Sequence, residues 1–169
     1  MILILDDVLD DGECNKLIEI YQKNKQHAHT HGNPINGGNP IIHPLDVDKV
    51  LMNVSKEGGL IALEVAKKIE KITKKYFYLN SIDWCEIVNW PCNAWQNYHL
   101  DKASNQTTIT SITYLNDNFD GGSTIFHDGT KIKPKIGRTL IFDGGKYIHG
   151  VEPVLKGERY SLPIWYKNL

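Results

Sequence analysis

The spacing of apolar positions changes once along this chain, from a helical repeat in the first half to strand-length runs between turn signals in the second. Met1-Ile2-Leu3-Ile4-Leu5 is apolar and runs straight into Asp6-Asp7, which predicts a short first strand. Asp10-Asp11-Gly12-Glu13 then offers a helix N-cap and an acidic first turn. Cys14, Leu17, Ile18 and Tyr21 follow at helical spacing, so a helix is expected to about Asn24. A longer helix is expected from Gly58 to about Leu79, with Ala62, Val65, Ala66, Ile69, Ile72, Tyr76 and Leu79 on one face. From Ser81 onward strands are expected near 83–90, 95–100, 107–115, 123–127, 130–134, 138–142, 146–154 and 159–166. The fold class that follows is mainly β with flanking helices, the core being about eight strands in two packed sheets, as in a jelly roll.

Between the two helices the composition shifts to His, Gly, Asn and Pro, with Asn33-Pro34, Gly37-Gly38, Asn39-Pro40 and His43-Pro44 acting as breakers. A long loop inside a compact chain is usually functional or disordered. His27, His29 and His31 alternate along its start, but with no carboxylate among them they read as a solvated loop. The 169 residues, 41% hydrophobic and 23% charged, suit one domain, with 1–80 as helical support and loop and 81–169 as the core. A net charge of −1 gives no general electrostatic grip on nucleic acid or anionic membrane. Lys67, Lys68, Lys71, Lys74 and Lys75 line one helix face, but Glu64 and Glu70 interrupt them, as on a solvated back face. No apolar run approaches the roughly 20 residues of a membrane span, and the apolar start lacks the basic flank of a signal peptide. Cys14, Cys85 and Cys92 are odd in number and not at zinc spacing, which fits reduced thiols in a cytoplasm.

Candidate chemistry centres on Tyr98-His99-Leu100-Asp101. In an extended strand His99 and Asp101, two residues apart, project to one side. His149, inside Tyr147-Ile148-His149-Gly150-Val151, is the best third ligand among the seven histidines. Two imidazoles and one carboxylate leave up to three positions of an octahedral ion open on one face. Ten residues later, Arg159 opens the apolar and aromatic run Tyr160-Ser161-Leu162-Pro163-Ile164-Trp165-Tyr166, where an unpaired cation is costly to bury.

From about Glu86 to Tyr166 the chain resembles the prolyl 4-hydroxylase-like Fe(II) and 2-oxoglutarate dependent dioxygenases. The matching blocks are His99-Leu100-Asp101, Thr113-Tyr114-Leu115-Asn116-Asp117, Phe119-Asp120-Gly121-Gly122-Ser123-Thr124-Ile125-Phe126, Lys133-Pro134-Lys135-Ile136-Gly137-Arg138, His149-Gly150-Val151-Glu152-Pro153-Val154 and Gly157-Glu158-Arg159-Tyr160. The resemblance implies a double-stranded β-helix core, with Fe(II) on His99, Asp101 and His149. It makes Arg159 the partner of the far carboxylate of 2-oxoglutarate and Tyr114 a hydroxyl contact to that co-substrate. By alternation Thr110 shares a face with Tyr114, and Ser161 and Trp165 share one with Arg159, so Thr110 and Ser161 join the expected co-substrate contacts and Trp165 comes near the metal. Two positions depart from the family pattern. Arg159 stands where many members carry Lys, and Trp90 stands before Pro91 where members often have Tyr.

The implied reaction takes O2 and 2-oxoglutarate to succinate and CO2 while hydroxylating a substrate C–H, with ascorbate as a reductant. Prolyl 4-hydroxylation of a proline-containing peptide or protein leads, ahead of free amino acids, other side chains and nucleobases. Two positive charges on the metal and one on Arg159 balance one on Asp101 and two on 2-oxoglutarate, so the assembly can be buried away from water. Trp90, Trp95 and Trp165 are the expected apolar contacts for a proline ring, and the segment from His31 to Pro44 is the expected lid over it. A monomer is expected. A zinc hydrolase using the same three ligands and a non-catalytic two-sheet binding module stay open.

Overall fold

The computed structural model describes residues 1–30, 40–42, 56–101 and 107–167. The first helix, α1 (Asp11–Asn24), starts where the cap signal places it. The Glu13 N–H donates to Asp10 Oδ1 at 2.8 Å and the Asp10 N–H to Glu13 Oε2 at 2.9 Å, a reciprocal cap. Such a cap contributes about 1 kcal/mol. Its buried face is Cys14, Leu17, Ile20 and Tyr21. The second helix, α2 (Lys56–Thr73), stops six residues short of the expected end. Thr73 turns its hydroxyl back onto the Ile69 carbonyl at 2.9 Å, and the chain then tightens through Lys75 N–H to Ile72 O and Tyr76 N–H to Thr73 O. Tyr76, placed by periodicity on the apolar face, is therefore 49% exposed.

Among the described residues there are fourteen strands, in chain order β1 (Ile2–Leu5), β2 (His29–Thr30), β3 (Pro40–Ile42), β4 (Ile82–Cys85), β5 (Ile87–Trp90), β6 (Gln96–His99), β7 (Thr107–Tyr114), β8 (Asp120–Gly121), β9 (Thr124–Phe126), β10 (Lys131–Ile132), β11 (Thr139–Asp143), β12 (His149–Val151), β13 (Val154–Lys156) and β14 (Arg159–Lys167). The larger sheet runs β1-β11-β7-β14-β5-β3-β2, with β4 also on β14, and the smaller runs β10-β9-β12-β6. Strands β8 and β13 form a separate pair. The expected strand at 83–90 divides at Glu86 and the one at 146–154 divides after Val151. The N-terminal part contributes three strands to the larger sheet as well as helices, because the apolar run at Ile2–Leu5 covers the edge strand β11.

Alternation sorts the larger sheet into two faces. Tyr160, Leu162, Ile164 and Tyr166 of β14, with Cys85, Ile87, Ile109 and Ile141, pack against Leu17, Ala62, Val65 and Ile69 of the helices. The opposite face holds two smaller clusters toward the second sheet, one around Tyr114, Phe126, Leu140 and Phe142 and one around Val88, Trp90, Val151 and Val154. In the smaller sheet His149 pairs with His99 but Val151 pairs with Gln96, so β6 carries one extra residue opposite Gly150, a β-bulge. Only a glycine fits there, since a Cβ would sit 2.7 Å from the Gln96 carbonyl.

The segment His31 to Pro44, expected as a lid, lies outside the described residues apart from the backbone of β3, which pairs with β5. The side chains of His27, His29 and His31 lie outside them too. No helix among the described residues is long and apolar enough to cross a membrane.

Candidate metal centre and anion pocket

His99 closes β6 and His149 opens β12, and the two are Cα partners across the smaller sheet. Asp101 lies just past the end of β6, and its N–H donates to the Gly144 carbonyl at 2.9 Å. That bond, in place of strand pairing, brings its carboxylate to the two imidazoles. The ligand atoms of all three lie within 4.8 Å of one another, as a metal-holding group requires. Asp101 Oδ1 is 3.3 Å from His99 Nε2, and Oδ2 is 3.5 Å from His149 Nε2.

Each imidazole is also held from behind. His99 Nδ1 is 2.8 Å from the Asn97 carbonyl and His149 Nδ1 is 3.0 Å from the Tyr147 carbonyl, both two residues back in their own chain. A carbonyl only accepts, which assigns a proton to each Nδ1, so that in the neutral imidazole the Nε2 lone pair is turned inward. Asp101 Oδ2 accepts from Thr110 Oγ1 at 2.9 Å. Gly144 closes over this contact, since a Cβ there would lie 2.4 Å from Thr110 Oγ1 and 2.7 Å from Asp101 Cβ. The Phe142 ring packs on His149 at 4.8 Å between centroids. His149 and Asp101 are buried while His99 is partly exposed, so the centre opens on the His99 side.

The charges agree with this layout. Burial raises the Asp101 carboxyl, but the His99 hydrogen bond, the charges of His149 and His99 and the Thr110 hydroxyl outweigh it and hold the group below the usual range. Burial lowers His99, yet Asp101 and the Asn97 carbonyl hold it above the ordinary imidazole value. Burial dominates at His149 and keeps it below. An ionised carboxylate beside a neutral imidazole is what a divalent cation needs.

Arg159 opens β14 and is 1% exposed. Its guanidinium carbon lies 4.8 Å from the centroid of the Trp90 ring and 5.2 Å from that of Tyr114. Its Nε and Nη1 have no hydrogen-bond partner among the described residues. Burial lowers its pKa, and Tyr114 works the other way. Cation–π contact contributes on the order of 2 kcal/mol when desolvated, less than the several kcal/mol of burying the charge. The site therefore fits a carboxylate that would accept from an unpartnered guanidinium N–H. Gly122 leaves room for the arginine stem, since a Cβ there would lie 3.1 Å from Arg159 Cδ, and its φ of +62° suits glycine.

The other expected residues divide between the two ends. Tyr114 stands beside Arg159, and its hydroxyl donates to Thr124 Oγ1 at 2.7 Å. Ser161 shares the Arg159 face and accepts from Trp90 Nε1 at 3.0 Å. Thr110 is at the metal end, engaged with Asp101. Trp90, only 6% exposed, forms the wall under Arg159. Trp165 is half-buried and pairs across the strands with Thr110 and Trp84, and Trp95 is half-buried just ahead of β6. Thr124 and Gly144 were not anticipated. Thr124 sits in a quoted block but without a polar partner in view, and nothing in the sequence announces Gly144.

A sequence model described as the 2OG-Fe(II) oxygenase superfamily matches residues 69–167, more than half of the chain. The chain belongs to this superfamily. Prolyl 3-hydroxylase 2 of Mus musculus is 24% identical over 212 residues, covering 97% of this chain and 29% of that protein. Prolyl 3-hydroxylase 1 of Homo sapiens is 23% identical over 210 residues, covering 97% and 28%. The chain thus spans under a third of the length of these relatives. Among solved structures, a viral collagen prolyl hydroxylase from Paramecium Bursaria Chlorella virus-1 in its 2OG complex aligns at TM-score 0.72 and 20% identity, covering 99% of this chain and 96% of that one. A Trichoplax adhaerens prolyl hydroxylase in complex with a hypoxia inducible factor peptide aligns at 0.78 and 17%, covering 99% and 83%. A Pseudomonas putida prolyl-4-hydroxylase aligns at 0.74 and 18%, covering 99% and 92%. These neighbours share the fold. Superfamily membership implies Fe(II) and 2-oxoglutarate, and the residues fit both: two imidazole nitrogens and a carboxylate for the metal, a buried guanidinium for the carboxylate.

Proposed function

We propose that this chain is a dioxygenase that uses Fe(II), 2-oxoglutarate and O2 to hydroxylate a proline residue of a peptide or protein, releasing succinate and CO2. The observation that carries the reading is the buried Arg159 guanidinium with two unpartnered nitrogens, in the same inter-sheet space as the His99, Asp101 and His149 group. The superfamily match over residues 69–167 favours this reading over the zinc hydrolase one. A non-catalytic binding module has no use for three converging ligands with Nε2 lone pairs aimed inward.

In this reading His99, Asp101 and His149 hold the iron, and the bound iron with 2-oxoglutarate supplies the oxidising power. The protein holds the parts and keeps water out. Asn97 and Tyr147 carbonyls fix the imidazole tautomers, Thr110 fixes the carboxylate, and Arg159 takes the far carboxylate of 2-oxoglutarate over Trp90 and Tyr114. Ser161, whose oxygen accepts from Trp90, offers its own O–H to the same carboxylate. Support for a prolyl substrate comes from the relatives, which are prolyl 3-hydroxylases, and from fold neighbours described as prolyl hydroxylases. The 4-position, ascorbate as reductant and a single monomeric domain belong to the same proposal, with no role for nucleic acid. Three free thiols, Cys14, Cys85 and Cys92, suit a reducing compartment such as the cytoplasm.

The test is succinate release from Fe(II)-loaded protein across proline-containing peptides, free amino acids and oligonucleotides, with amino-acid analysis for 3- and 4-hydroxyproline. Turnover confined to free amino acids or oligonucleotides would remove the prolyl reading. No succinate with any substrate, and none from uncoupled turnover, would remove the oxygenase reading itself.

A further inference from the structure

Trp90 closes β5 and stands opposite Arg159 of β14, while Val88, two residues back, stands opposite Ser161. Two contacts leave this one ring. Its face carries the Arg159 guanidinium, whose carbon lies 4.8 Å from the ring centroid, and its Nε1–H donates diagonally across the strands to Ser161 Oγ at 3.0 Å. The rest of the buried indole is set among Val88, Ala94, Val151 and Val154, so packing fixes how it lies.

An indole N–H donates and never accepts. Ser161 Oγ is therefore the acceptor toward Trp90, and its own hydrogen has to point elsewhere. Ser161 is buried, and among the described residues that hydrogen has no acceptor. Tyr114, the Cα partner of Ser161 on β7, differs, because its hydroxyl donates to Thr124 Oγ1 at 2.7 Å. Of these two hydroxyls beside Arg159, Ser161 is the one with a hydrogen to give. Arg159 lies two residues before Ser161 on the same strand, so both side chains share a face, and its Nε and Nη1 are also unpartnered among the described residues. Two side chains thus present donors without acceptors, and Trp90 touches both. Serine hydroxyls readily turn to nearby backbone carbonyls. A donor fixed on the Ser161 oxygen holds that side chain in place and narrows the directions open to its hydrogen.

We propose that Trp90 is a positioning residue for the co-substrate: it holds the Arg159 guanidinium by its face and the Ser161 hydroxyl by its N–H, so that both donors meet the far carboxylate of 2-oxoglutarate together. A tyrosine here, as the family pattern often has, would carry its donor on a rotating hydroxyl, whereas the indole carries it in the plane of a packed ring. The inference rests on the oxygenase reading and adds to it how the co-substrate is told from acids that lack the far carboxylate.

The experiment measures binding without turnover, by calorimetry on Mn(II)-loaded protein. The ligands are 2-oxoglutarate and 2-oxopentanoate, which has a methyl group where 2-oxoglutarate has its far carboxylate. Ser161→Ala should weaken 2-oxoglutarate binding about tenfold, and Trp90→Phe, which keeps an aromatic face but lacks the N–H, about fivefold. In the Ser161→Ala background Trp90→Phe should weaken it by at most about twofold more, the difference between the two ring faces toward Arg159, since the N–H acts through the serine. Affinity for 2-oxopentanoate should stay within about twofold of the parent in both single variants. Unchanged 2-oxoglutarate affinity in Ser161→Ala or Trp90→Phe, a loss from Trp90→Phe that persists in full in the Ser161→Ala background, or an equal loss for 2-oxopentanoate would each overturn the inference and leave the oxygenase reading in place. A parent protein that binds no 2-oxoglutarate would overturn both.

Discussion

The two ends of the inter-sheet space are built on opposite principles. At the metal end every ligand side chain has an internal contact: two carbonyls behind the imidazoles, a hydroxyl on the carboxylate, and Asp101 shared between His99 and His149. At the arginine end a full charge is buried over two aromatic rings with two of its nitrogens unpartnered among the described residues. The metal end is arranged before anything arrives. The arginine end carries an electrostatic penalty that the two rings offset only in part and an anion would relieve, so stability and affinity should move together at one end and in opposite directions at the other.

The largest expected effect is at Asp101, the anionic ligand. Asp101→Ala should abolish Fe(II) binding and 2-oxoglutarate turnover while circular dichroism stays native, and full iron content in this variant would rule out the centre as drawn. Arg159 comes next. Arg159→Ala should weaken 2-oxoglutarate binding by roughly 3–5 kcal/mol, the loss for one partner of a desolvated pair. Arg159→Met should lose the same affinity yet raise the melting temperature of the ligand-free protein, because it replaces an unpaired buried charge with an apolar chain. A lower melting temperature for Arg159→Met would mean that the guanidinium is stabilised without ligand, and the contrast between the ends would fail.

Gly144→Ala should act on the metal end alone. The added methyl would push Asp101 and Thr110 apart, which predicts a loss of metal affinity of about 10–100-fold, the range for disturbing residues that orient ligands. Calorimetry with Mn(II) would show it, and unchanged affinity would mean that the Thr110 contact does not matter. The smallest effect is in pH. Asp101 holds His99 above the ordinary value of about 6.5, so the metal must displace a proton there, whereas His149 is already neutral. Mn(II) affinity should therefore rise with pH above about 6.5, by at most about tenfold per unit, and level off once pH passes the folded-state pKa of His99. A flat profile across that window would mean that His99 carries no proton to displace.

Long regular elements were legible in the sequence and short or irregular ones were not. Strands β7 and β14 are long enough for alternation to show, and that put Thr110 on the Tyr114 face and Ser161 and Trp165 on the Arg159 face, while it was the resemblance that brought Tyr114 to Arg159. Two-residue strands such as β8 and β10 carry no period at all. The end of α2 was misplaced because apolar spacing continues to Leu79 while Thr73 diverts its hydroxyl onto the backbone. At the site, spacing suggested His99, Asp101 and His149 as a group and the resemblance pointed to Arg159, and the structure brings the three side chains together and buries the guanidinium. The contacts of Thr110 with Asp101 and of Trp90 with Ser161 depend on which end of the space each strand row reaches, and pattern alone does not carry that. The carbonyls behind the histidines are invisible to any residue code, since every residue has one.

The extra residue in β6 opposite Gly150 has a meaning for how such a chain tolerates change in length. Two-residue alternation is a phase, and a single inserted residue inverts it, so residues before the bulge are out of step with residues after it. His99 faces inward because its phase is counted from the far side of that insertion. The bulge absorbs that inversion, since Gln96 and His99 are three residues apart and still pair with Val151 and His149 of β12; a chain lacking Asn97 or Tyr98 would make the same two pairs without a bulge and keep His99 opposite His149. Gly150 is the position that admits the inversion, and a side chain there would press strand β6 back into step.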